Sequence, residues 1–274
     1  MKKKIGLIGF GNMGSAIFER ARDDFDLLVY EKDPSKTEKL EASVVEKDLA
    51  ALVRGVEAFI LAVKPQDFTA VLAQIGGAGK ATVISIAAGI PTAAIEKALP
   101  GSRVVRVMPN LPAKVGKGMS CIARGKKAAQ PDVTLTEQIF RKVGQVLVID
   151  EKMMDAATAI SGSGPGFFFD RVIGQSGYEA QNYGEHIFKE ELREAAVAVG
   201  FDPKQALLLA KATTDGAVEL MKSSGLPAET LRDRVTSKGG TTEAGLKALH
   251  QTDSLADAAR AAVARAKELA AANT

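Results

Sequence analysis

The sequence contains one cysteine, two histidines and no tryptophan, and these shortages exclude several kinds of site. The single cysteine, Cys121, cannot form a disulfide within the chain, which favours a reducing, cytoplasmic setting. No cluster of cysteine and histidine has the spacing of metal ligands, so we expect no metal centre. We expect Cys121 in the core, and His186 and His250 at surface or packing positions.

The chain also lacks a long hydrophobic run. No stretch approaches the roughly 20 apolar residues that an α-helix needs to cross a bilayer. The basic residues 2–4 resemble the start of a signal peptide, but the apolar residues 5–10 behind them are few and include glycine. We therefore expect neither a signal peptide nor a membrane partner.

Charge of one sign is not concentrated anywhere along the chain. The 36 basic and 33 acidic residues are scattered and give a formal net charge of +3, whereas nucleic-acid binders usually carry a basic patch. We expect no nucleic-acid partner. The length of 274 residues exceeds the usual size of one core, and the 46% hydrophobic content is typical of globular proteins, so we predict two domains.

The first half of the chain alternates short apolar runs with longer amphipathic stretches. This pattern predicts an α/β Rossmann domain over residues 1–152, with a doubly wound, mainly parallel sheet. The apolar runs are nearly continuous, as expected for strands that are covered on both faces. The predicted strands are 4–8, 27–31, 58–63, 81–86, 103–107, 119–123 and 145–149. Helices are predicted to begin near Met13, Pro34, Asp48, Pro65, Pro91 and Pro131.

The second half has no such strand-like runs. Ala, Leu, Glu, Lys and Arg recur there at helical spacing, which predicts an all-α C-terminal domain over residues 153–274. The predicted helices are 155–160, 187–199, 203–223, 242–250 and 254–272.

A glycine pattern, G-x-G-x-x-G, follows the first predicted strand and opens a helix. In a dinucleotide site Gly9 permits the tight turn, Gly11 lets the backbone approach a pyrophosphate, and Gly14 allows close packing of helix on strand. A structural strand-to-helix turn is the alternative. The residues predicted to bind the cofactor here are Ile8, Gly9, Phe10, Gly11, Asn12, Met13 and Gly14.

Glu31 ends the second predicted strand, about 20 residues beyond the glycines. A carboxylate at this place can accept hydrogen bonds from the adenosine ribose and would repel a 2′-phosphate, which favours NADH over NADPH. Lys32 and Lys36 lie close enough to compensate a 2′-phosphate, so NAD(P)H stays open with a lean to NADH.

Two further segments follow the third and fourth predicted strands, where ligands bind in open α/β sheets. We predict that these segments also face the cofactor, although a solvated lysine and an empty glycine turn are the alternatives. Their residues are Ala62, Val63, Lys64 and Pro65, then Ala88 and Gly89.

Five short segments follow one another along the chain: residues 9–14 (GFGNMG), 62–65 (AVKP), 106–110 (RVMPN), 161–165 (SGSGP) and 235–242 (VTSKGGTT). In this order they resemble the successive signatures of the pyrroline-5-carboxylate reductase family. The resemblance implies hydride transfer from NAD(P)H to the imine carbon of 1-pyrroline-5-carboxylate, which gives L-proline. It also implies association through the helical domain, as a homodimer or a higher homo-oligomer.

The resemblance assigns substrate binding to the last of these segments. It implies that Ser237, Gly239, Gly240 and Thr241 hold the substrate carboxylate, with Thr242 near the imine nitrogen, where its hydroxyl helps to place a proton or water. The loop precedes an amphipathic helix, so it can also offer backbone N–H groups and a helix dipole to a carboxylate. The alternative for Thr242 is a helix cap.

Two other signature segments have open roles. Met108, Pro109 and Asn110 are predicted to line the cleft between the domains near the nicotinamide, with a purely structural turn as the alternative. Residues 161–165 are either a hinge into the helical domain or a substrate contact.

The sequence departs from the family pattern at three places. Lys238 stands where proline is usual, and Leu111 stands where threonine is usual. Residues 170–184 lengthen what is normally one apolar helix, and their glycines and amides predict a break or an extra loop. These departures leave two alternatives: reduction of another cyclic imino acid, such as a piperideine carboxylate, or a non-catalytic cofactor-binding interaction protein.

Overall fold

The structure is a computed structural model that describes residues 2–77, 79–173 and 178–272. These residues form two compact units: residues 2–107 with Ile122–Glu151, and Met108–Cys121 with Lys152–Ala272. The segment Met108–Cys121 therefore clusters with the helical residues, although it lies inside the range 1–152 predicted for the dinucleotide-binding domain.

A seven-stranded sheet forms the framework of the first half of the chain, and the predicted Rossmann-like fold is confirmed. Its order is β2-β1-β3-β4-β5-β6-β7, and β1 to β5 are parallel. The strands are β1 Lys4–Ile8, β2 Asp26–Tyr30, β3 Ala58–Leu61, β4 Thr82–Ser85, β5 Arg103–Met108, β6 Gly118–Arg124 and β7 Gly144–Val148. Each coincides with a predicted strand to within two residues at either end.

Burial explains why these runs form strands. All four residues of β3 and of β4 are buried, so the side chains on both faces of these strands are covered, as parallel sheets require. The helices of this half are α1 Asn12–Ala21, α2 Leu49–Gly55, α3 Pro65–Ile75, α4 Thr92–Ala98 and α5 Gln130–Phe140.

Local chemistry sets several helix ends. Asp48 accepts hydrogen bonds from two backbone N–H groups at the start of α2, and α3 ends at Gly76, which has a left-handed backbone with φ of 68°. The prediction of a helix near Pro34 is wrong, because the structure has only a single 3-10 turn there, Pro34–Lys36. There the Asp33 side chain accepts from the backbone N–H of Ser35, a local bond that competes with helix formation.

The second half is helical, as predicted. Its helices are α6 Met154–Ala157, α7 Gly164–Val172, α8 Tyr178–Ala198, α9 Pro203–Ser224, α10 Ala228–Val235, α11 Thr241–Thr252 and α12 Leu255–Ala271, with a π-helical turn at Thr158–Gly162. The pattern did not predict α7 or α10. The Gly-Pro-Gly start of α7 is typical of a turn, and α10 buries only Leu231.

The break predicted within residues 170–184 is confirmed. Helix α7 ends at Val172, and Ile173 is extended, with φ of −63° and ψ of 129°. Residues 174–177 of this segment lie outside the described residues. Among the helices that the structure describes, none combines the length and the apolar character that crossing a bilayer requires.

The segment before β6 packs closely on α9 at Gly216. A Cβ atom placed on Gly216 would collide with the carbonyl oxygen of Lys117 and would lie 2.9 Å from Cβ of Pro112. No side chain fits here without displacement of the backbone. This contact is one reason why Met108–Cys121 belongs to the helical unit.

We therefore expect Gly216→Ala to lower the free energy of unfolding by about 1–3 kcal/mol, the usual cost of overpacking. The measurement is urea denaturation followed by circular dichroism. Gly55→Ala, at a helical glycine where an added Cβ meets nothing within 4 Å, is the control and should be neutral or stabilising. If the two variants unfolded at the same urea concentration, the contact at Gly216 would have room for a methyl group.

Candidate functional site

The three glycines of the turn after β1 have two different surroundings: Gly9 and Gly14 pack against backbone, whereas Gly11 faces open space. Gly9 has φ of 100°, and a Cβ there would lie 2.7 Å from the carbonyl oxygen of Ala62. A Cβ on Gly14 would collide with the carbonyl oxygen of Gly9. Gly11 is exposed, and a Cβ there would meet nothing within 4 Å. The open face at Gly11 is where a ligand can approach the backbone and the N-terminus of α1.

Glu31 lies just beyond β2 and turns its carboxylate toward this loop. Its Oε2 accepts a hydrogen bond from the backbone N–H of Phe10 at 2.6 Å, and its Oε1 accepts from that of Asp33 at 3.1 Å. Nζ of Lys36 lies 3.4 Å from Oε1. The Glu31 side chain is only 6% exposed, and these contacts hold its carboxylate in place.

Lys32, on the same side of the sheet, is paired as well. Its Nζ donates to Asp67 of α3 at 2.8 Å, and this hydrogen bond raises the pKa of Lys32. Both lysines that could attract a phosphate therefore already have carboxylate partners.

A cavity of about 520 Å³ opens beside Gly11 at the carboxyl ends of β1, β2 and β3. The predicted cofactor residues in its lining are Ile8, Gly9, Gly11, Glu31, Ala62, Val63 and Lys64. Sequence reasoning missed one face of α3, formed by Gln66, Asp67, Ala70, Val71 and Gln74. These positions recur at helical spacing after Lys64, so periodicity could have found them.

Several other predicted cofactor residues fall outside this lining. They are Phe10, Asn12, Met13, Gly14, Ala88 and Gly89, among the described residues, and Met108, Pro109 and Asn110 belong to the second unit. Phe10 packs edge-on against Phe18 at 5.5 Å between ring centroids. The cavity, with an open backbone face at Gly11 and a fixed carboxylate at Glu31, fits the pyrophosphate and ribose of a dinucleotide.

We expect Gly11→Ala to weaken dinucleotide binding by tenfold or more, because the new methyl group fills the open face, while the free energy of unfolding falls by about 1 kcal/mol at most, since Gly11 is the N-cap of α1. Fluorescence titration with NADH and urea denaturation give the two values. Gly14→Ala is the contrasting variant and should destabilise the fold. If Gly11→Ala bound NADH as tightly as the wild type, the open face would not be the binding face.

The loop of residues 237–242 joins α10 to α11 in the second unit. Gly239 has φ of 70°, and the N–H of Gly240 donates to the carbonyl oxygen of Ser237 at 2.9 Å. The N–H of Gly239 donates to Oε2 of Glu243 at 2.7 Å. A carboxylate from the protein thus already binds a backbone donor of the loop that was predicted to bind one.

Arg265 of α12 holds the same loop from the other side. Its Nε donates to the carbonyl oxygen of Gly239 at 2.7 Å, and its Nη1 donates to Glu268 at 2.7 Å. No pattern in the sequence connects Arg265 with Gly239.

Thr242 is not the cap of α11, which was the alternative to a site role. The N-cap residue is Gly240, and Oγ1 of Thr242 donates to Oγ of Ser163 at 3.1 Å. A Cβ on Gly166 would lie 2.6 Å from Cγ2 of Thr242, so α7 can approach Thr242 only through a glycine. The structure therefore brings residues of the 161–165 signature to the loop of residues 237–242.

Asn110 is buried and its amide is engaged within the second unit. Its Nδ2 donates to the carbonyl oxygen of Ser161 at 3.0 Å, and its Oδ1 accepts from the N–H of Met119 at 2.8 Å. These bonds favour the structural alternative for Asn110.

The cysteine and the histidines lie where the sequence predicted. Cys121 is fully buried, and burial raises the pKa of its thiol to about 12, so it is an unreactive core residue. His186 is exposed, and Nε2 of the exposed His250 lies 2.7 Å from Asp170. In the part of the chain that the structure describes, no group of three or more His, Cys, Asp or Glu could hold a metal ion.

Both halves of the chain match known protein families. Residues 186–269 match the family described as pyrroline-5-carboxylate reductase dimerisation, and residues 4–89 match the family described as NADP oxidoreductase coenzyme F420-dependent. The pyrroline-5-carboxylate reductase of Methanosarcina acetivorans is 37% identical over 260 residues, which cover 91% of this chain and 90% of that protein.

Solved structures agree with this match. A pyrroline-5-carboxylate reductase from Coxiella burnetii is 31% identical with a TM-score of 0.65, and the alignment covers 98% of this chain and 99% of that one. Plasmodium falciparum pyrroline carboxylate reductase, solved with NADP bound, is 28% identical with a TM-score of 0.61 and covers 98% of each chain.

Proposed function

The chain belongs to the pyrroline-5-carboxylate reductase family, and from this premise we propose that it reduces 1-pyrroline-5-carboxylate to L-proline, the last step of proline biosynthesis. One observation in the structure supports this reaction above others. Thr242 lies at the N-terminus of α11, and its hydroxyl is held by a hydrogen bond to Ser163. The loop before it donates a backbone N–H to the carboxylate of Glu243.

NAD(P)H is the proposed reductant, and it would supply the hydride when bound. The open face at Gly11 leaves room for the pyrophosphate at the N-terminus of α1. The proposed cofactor-binding residues remain Ile8, Gly9, Phe10, Gly11, Asn12, Met13, Gly14, Glu31, Ala62, Val63, Lys64, Pro65, Ala88, Gly89, Met108, Pro109 and Asn110. Residues 1–152 and 153–274 are proposed as the cofactor and the substrate domain, with Met108–Cys121 joining the latter in space.

The loop of residues 237–242 is the proposed substrate site. Ser237, Gly239, Gly240 and Thr241 would hold the carboxylate, and Thr242 would contact the imine nitrogen. The hydrogen bond from Gly239 to Glu243 supports anion recognition, because it shows that this backbone N–H can donate to a carboxylate. Glu243 would have to release this N–H when the substrate carboxylate binds there.

The proposed cofactor preference is NADH. The carboxylate of Glu31 is nearly buried against the glycine turn, where it would repel a 2′-phosphate. Lys32 and Lys36 are paired with Asp67 and Glu31, which reduces the charge that they could offer to that phosphate.

If the charge of Glu31 sets this preference, Glu31→Gln should raise the ratio of kcat/KM for NADPH to that for NADH by about tenfold, equivalent to about 1.4 kcal/mol. Steady-state kinetics with both cofactors give the ratio. Glu46→Gln, which removes a carboxylate outside the cavity, should leave it unchanged. A wild type that already prefers NADPH, or a ratio unmoved by Glu31→Gln, would contradict the proposal.

The helical unit is the proposed assembly surface. Residues 186–269 match the dimerisation family, which supports a homodimer or a higher homo-oligomer. The cytoplasmic setting stays a prediction.

The decisive test of the reaction is oxidation of NADH and NADPH by the purified protein with 1-pyrroline-5-carboxylate. We expect turnover by the wild type and a loss of about 100-fold or more in kcat for Thr242→Ala, in the range that general acid–base groups contribute. Thr242→Ser keeps the hydroxyl and should retain most of the activity.

A six-membered piperideine carboxylate is assayed in parallel. Lys238 stands exposed in the loop where proline is usual, and faster turnover of the larger ring would favour the other imino acid as substrate. If neither ring supports oxidation while NADH still binds, the chain is a cofactor-binding protein without this activity.

A further inference from the structure

Three hydroxyl groups from two distant segments form a continuous chain in the second unit. Oγ1 of Thr242 donates to Oγ of Ser163 at 3.1 Å, and Oγ of Ser163 lies 3.0 Å from Oγ1 of Thr241. Ser163 is fully buried and Thr242 is 4% exposed, whereas Thr241 is only half-buried. The chain therefore runs from a buried hydroxyl toward solvent.

An unusual backbone turn places Ser163 in the middle of this chain. The π-helical turn Thr158–Gly162 precedes it, and the N–H of Ser163 donates to the carbonyl oxygen of Thr158 at 2.8 Å, across five residues. Such turns are rare and occur often at functional sites. Ser161, in the same turn, instead donates its hydroxyl to the carbonyl oxygen of Ala157 at 2.9 Å. Of these two serines, only Ser163 joins the loop.

We propose that Ser163 is a positioning residue that relays a proton from Thr241 to Thr242 during imine reduction. This inference rests on the proposed function and on contact of Thr242 with the imine nitrogen. In the structure the Thr242 hydroxyl donates to Ser163, so it must rotate toward the imine nitrogen to give up its proton. Ser163 then gives its own proton to Thr242, and Thr241 resupplies Ser163. Thr241 takes a proton from water at its exposed side, which leaves hydroxide in the solvent, so each hydroxyl ends as it began.

A hydride, which is two electrons and a proton from the reduced cofactor, forms the new C–H bond at the imine carbon. The π electrons of the C=N bond become a lone pair on nitrogen, which takes the relayed proton. The ring becomes a secondary amine and the cofactor is oxidised.

The three hydroxyls do not titrate in the working range, so a pH effect must come from the substrate or from neighbouring charges. The charged groups at the loop are the exposed Lys238 within it and, on α11 and α12, Glu243 and Arg265, which both bond to Gly239. At the far end of α7, Asp170 is bonded to Arg232 of α10 and His250 of α11. These groups are the same in the wild type and in the variants proposed below.

The substrate itself supplies the contrast that tests the relay. At low pH the imine arrives already protonated and needs no proton from the enzyme, whereas at high pH it arrives neutral. We expect Ser163→Ala to approach wild-type kcat at about pH 5.5 and to fall at least about tenfold below it at about pH 9, as loss of general-acid assistance predicts. If Ser163 had only a structural role, Ser163→Ala would lower kcat by the same factor at every pH.

Ser161→Ala is the matched control, because it removes a buried hydroxyl two residues away that bonds only to backbone in the same turn and to Cys121. It should keep the wild-type shape of the pH profile. Thr241→Val interrupts the relay at its outer end and also removes a proposed carboxylate contact, which lowers activity by the same factor at every pH. The ratio of its kcat to wild-type kcat should therefore fall further with rising pH, as for Ser163→Ala, and this variant serves if Ser163→Ala does not fold. Binding of NADH, measured by fluorescence, should be unchanged in all folded variants.

A second measurement compares the wild type with Thr241→Val. For the wild type at high pH, a plot of kcat against the deuterium fraction in mixtures of H2O and D2O should be curved, because several protons move together. For Thr241→Val the same plot should be closer to a straight line. Parallel pH profiles for wild type, Ser163→Ala and Thr241→Val would overturn the relay while leaving the reaction established. No turnover by the wild type would instead overturn the proposed function.

Discussion

Close approach of main chains is the physical constraint on which both candidate binding regions depend. In the first unit, α1 begins against the end of β1 because Gly14 presents no Cβ to the carbonyl oxygen of Gly9. In the second, α7 approaches α11 because Gly166 leaves room for Thr242, and a Cβ on Gly245 would collide with the ring of Phe167. Any side chain at these glycines would separate the elements that carry the functional groups.

The two regions also share an electrostatic arrangement. Each has a glycine-containing turn at the start of a helix, and in each a glutamate carboxylate accepts a short hydrogen bond from a backbone N–H group. Glu31 accepts from Phe10 at 2.6 Å, and Glu243 accepts from Gly239 at 2.7 Å. Backbone donors near a helix N-terminus favour negative charge, which explains why a carboxylate lies at each turn.

The two carboxylates differ in how firmly they are held. Glu31 is nearly buried and accepts from two backbone N–H groups, so it acts as a fixed part of the cavity wall. Glu243 is exposed and bonds to one N–H group, so it can be displaced at little cost. In the proposed reaction the fixed carboxylate would select against a 2′-phosphate, whereas the displaceable one would leave its donor available to a substrate carboxylate.

The sequence by itself determined the seven strands, the helical second half, the glycine turn and the family. These features depend on local patterns, namely apolar runs, helical spacing and motifs within a few residues, which a single chain displays directly. The sequence misjudged the segment after Asp33, where a side chain bonds to nearby backbone, and it did not predict α7, whose first residues are typical of a turn.

Only the tertiary structure decided which residues meet. Ser163 and Thr242 are 79 positions apart and Arg265 and Gly239 are 26 apart, yet each pair is within hydrogen-bonding distance. Such pairs depend on how helices pack and on where a π-helical turn rotates a side chain, and neither leaves a periodic signal in the sequence. The tertiary structure also assigned Met108–Cys121 to the helical unit, because packing on α9 outweighs order along the chain.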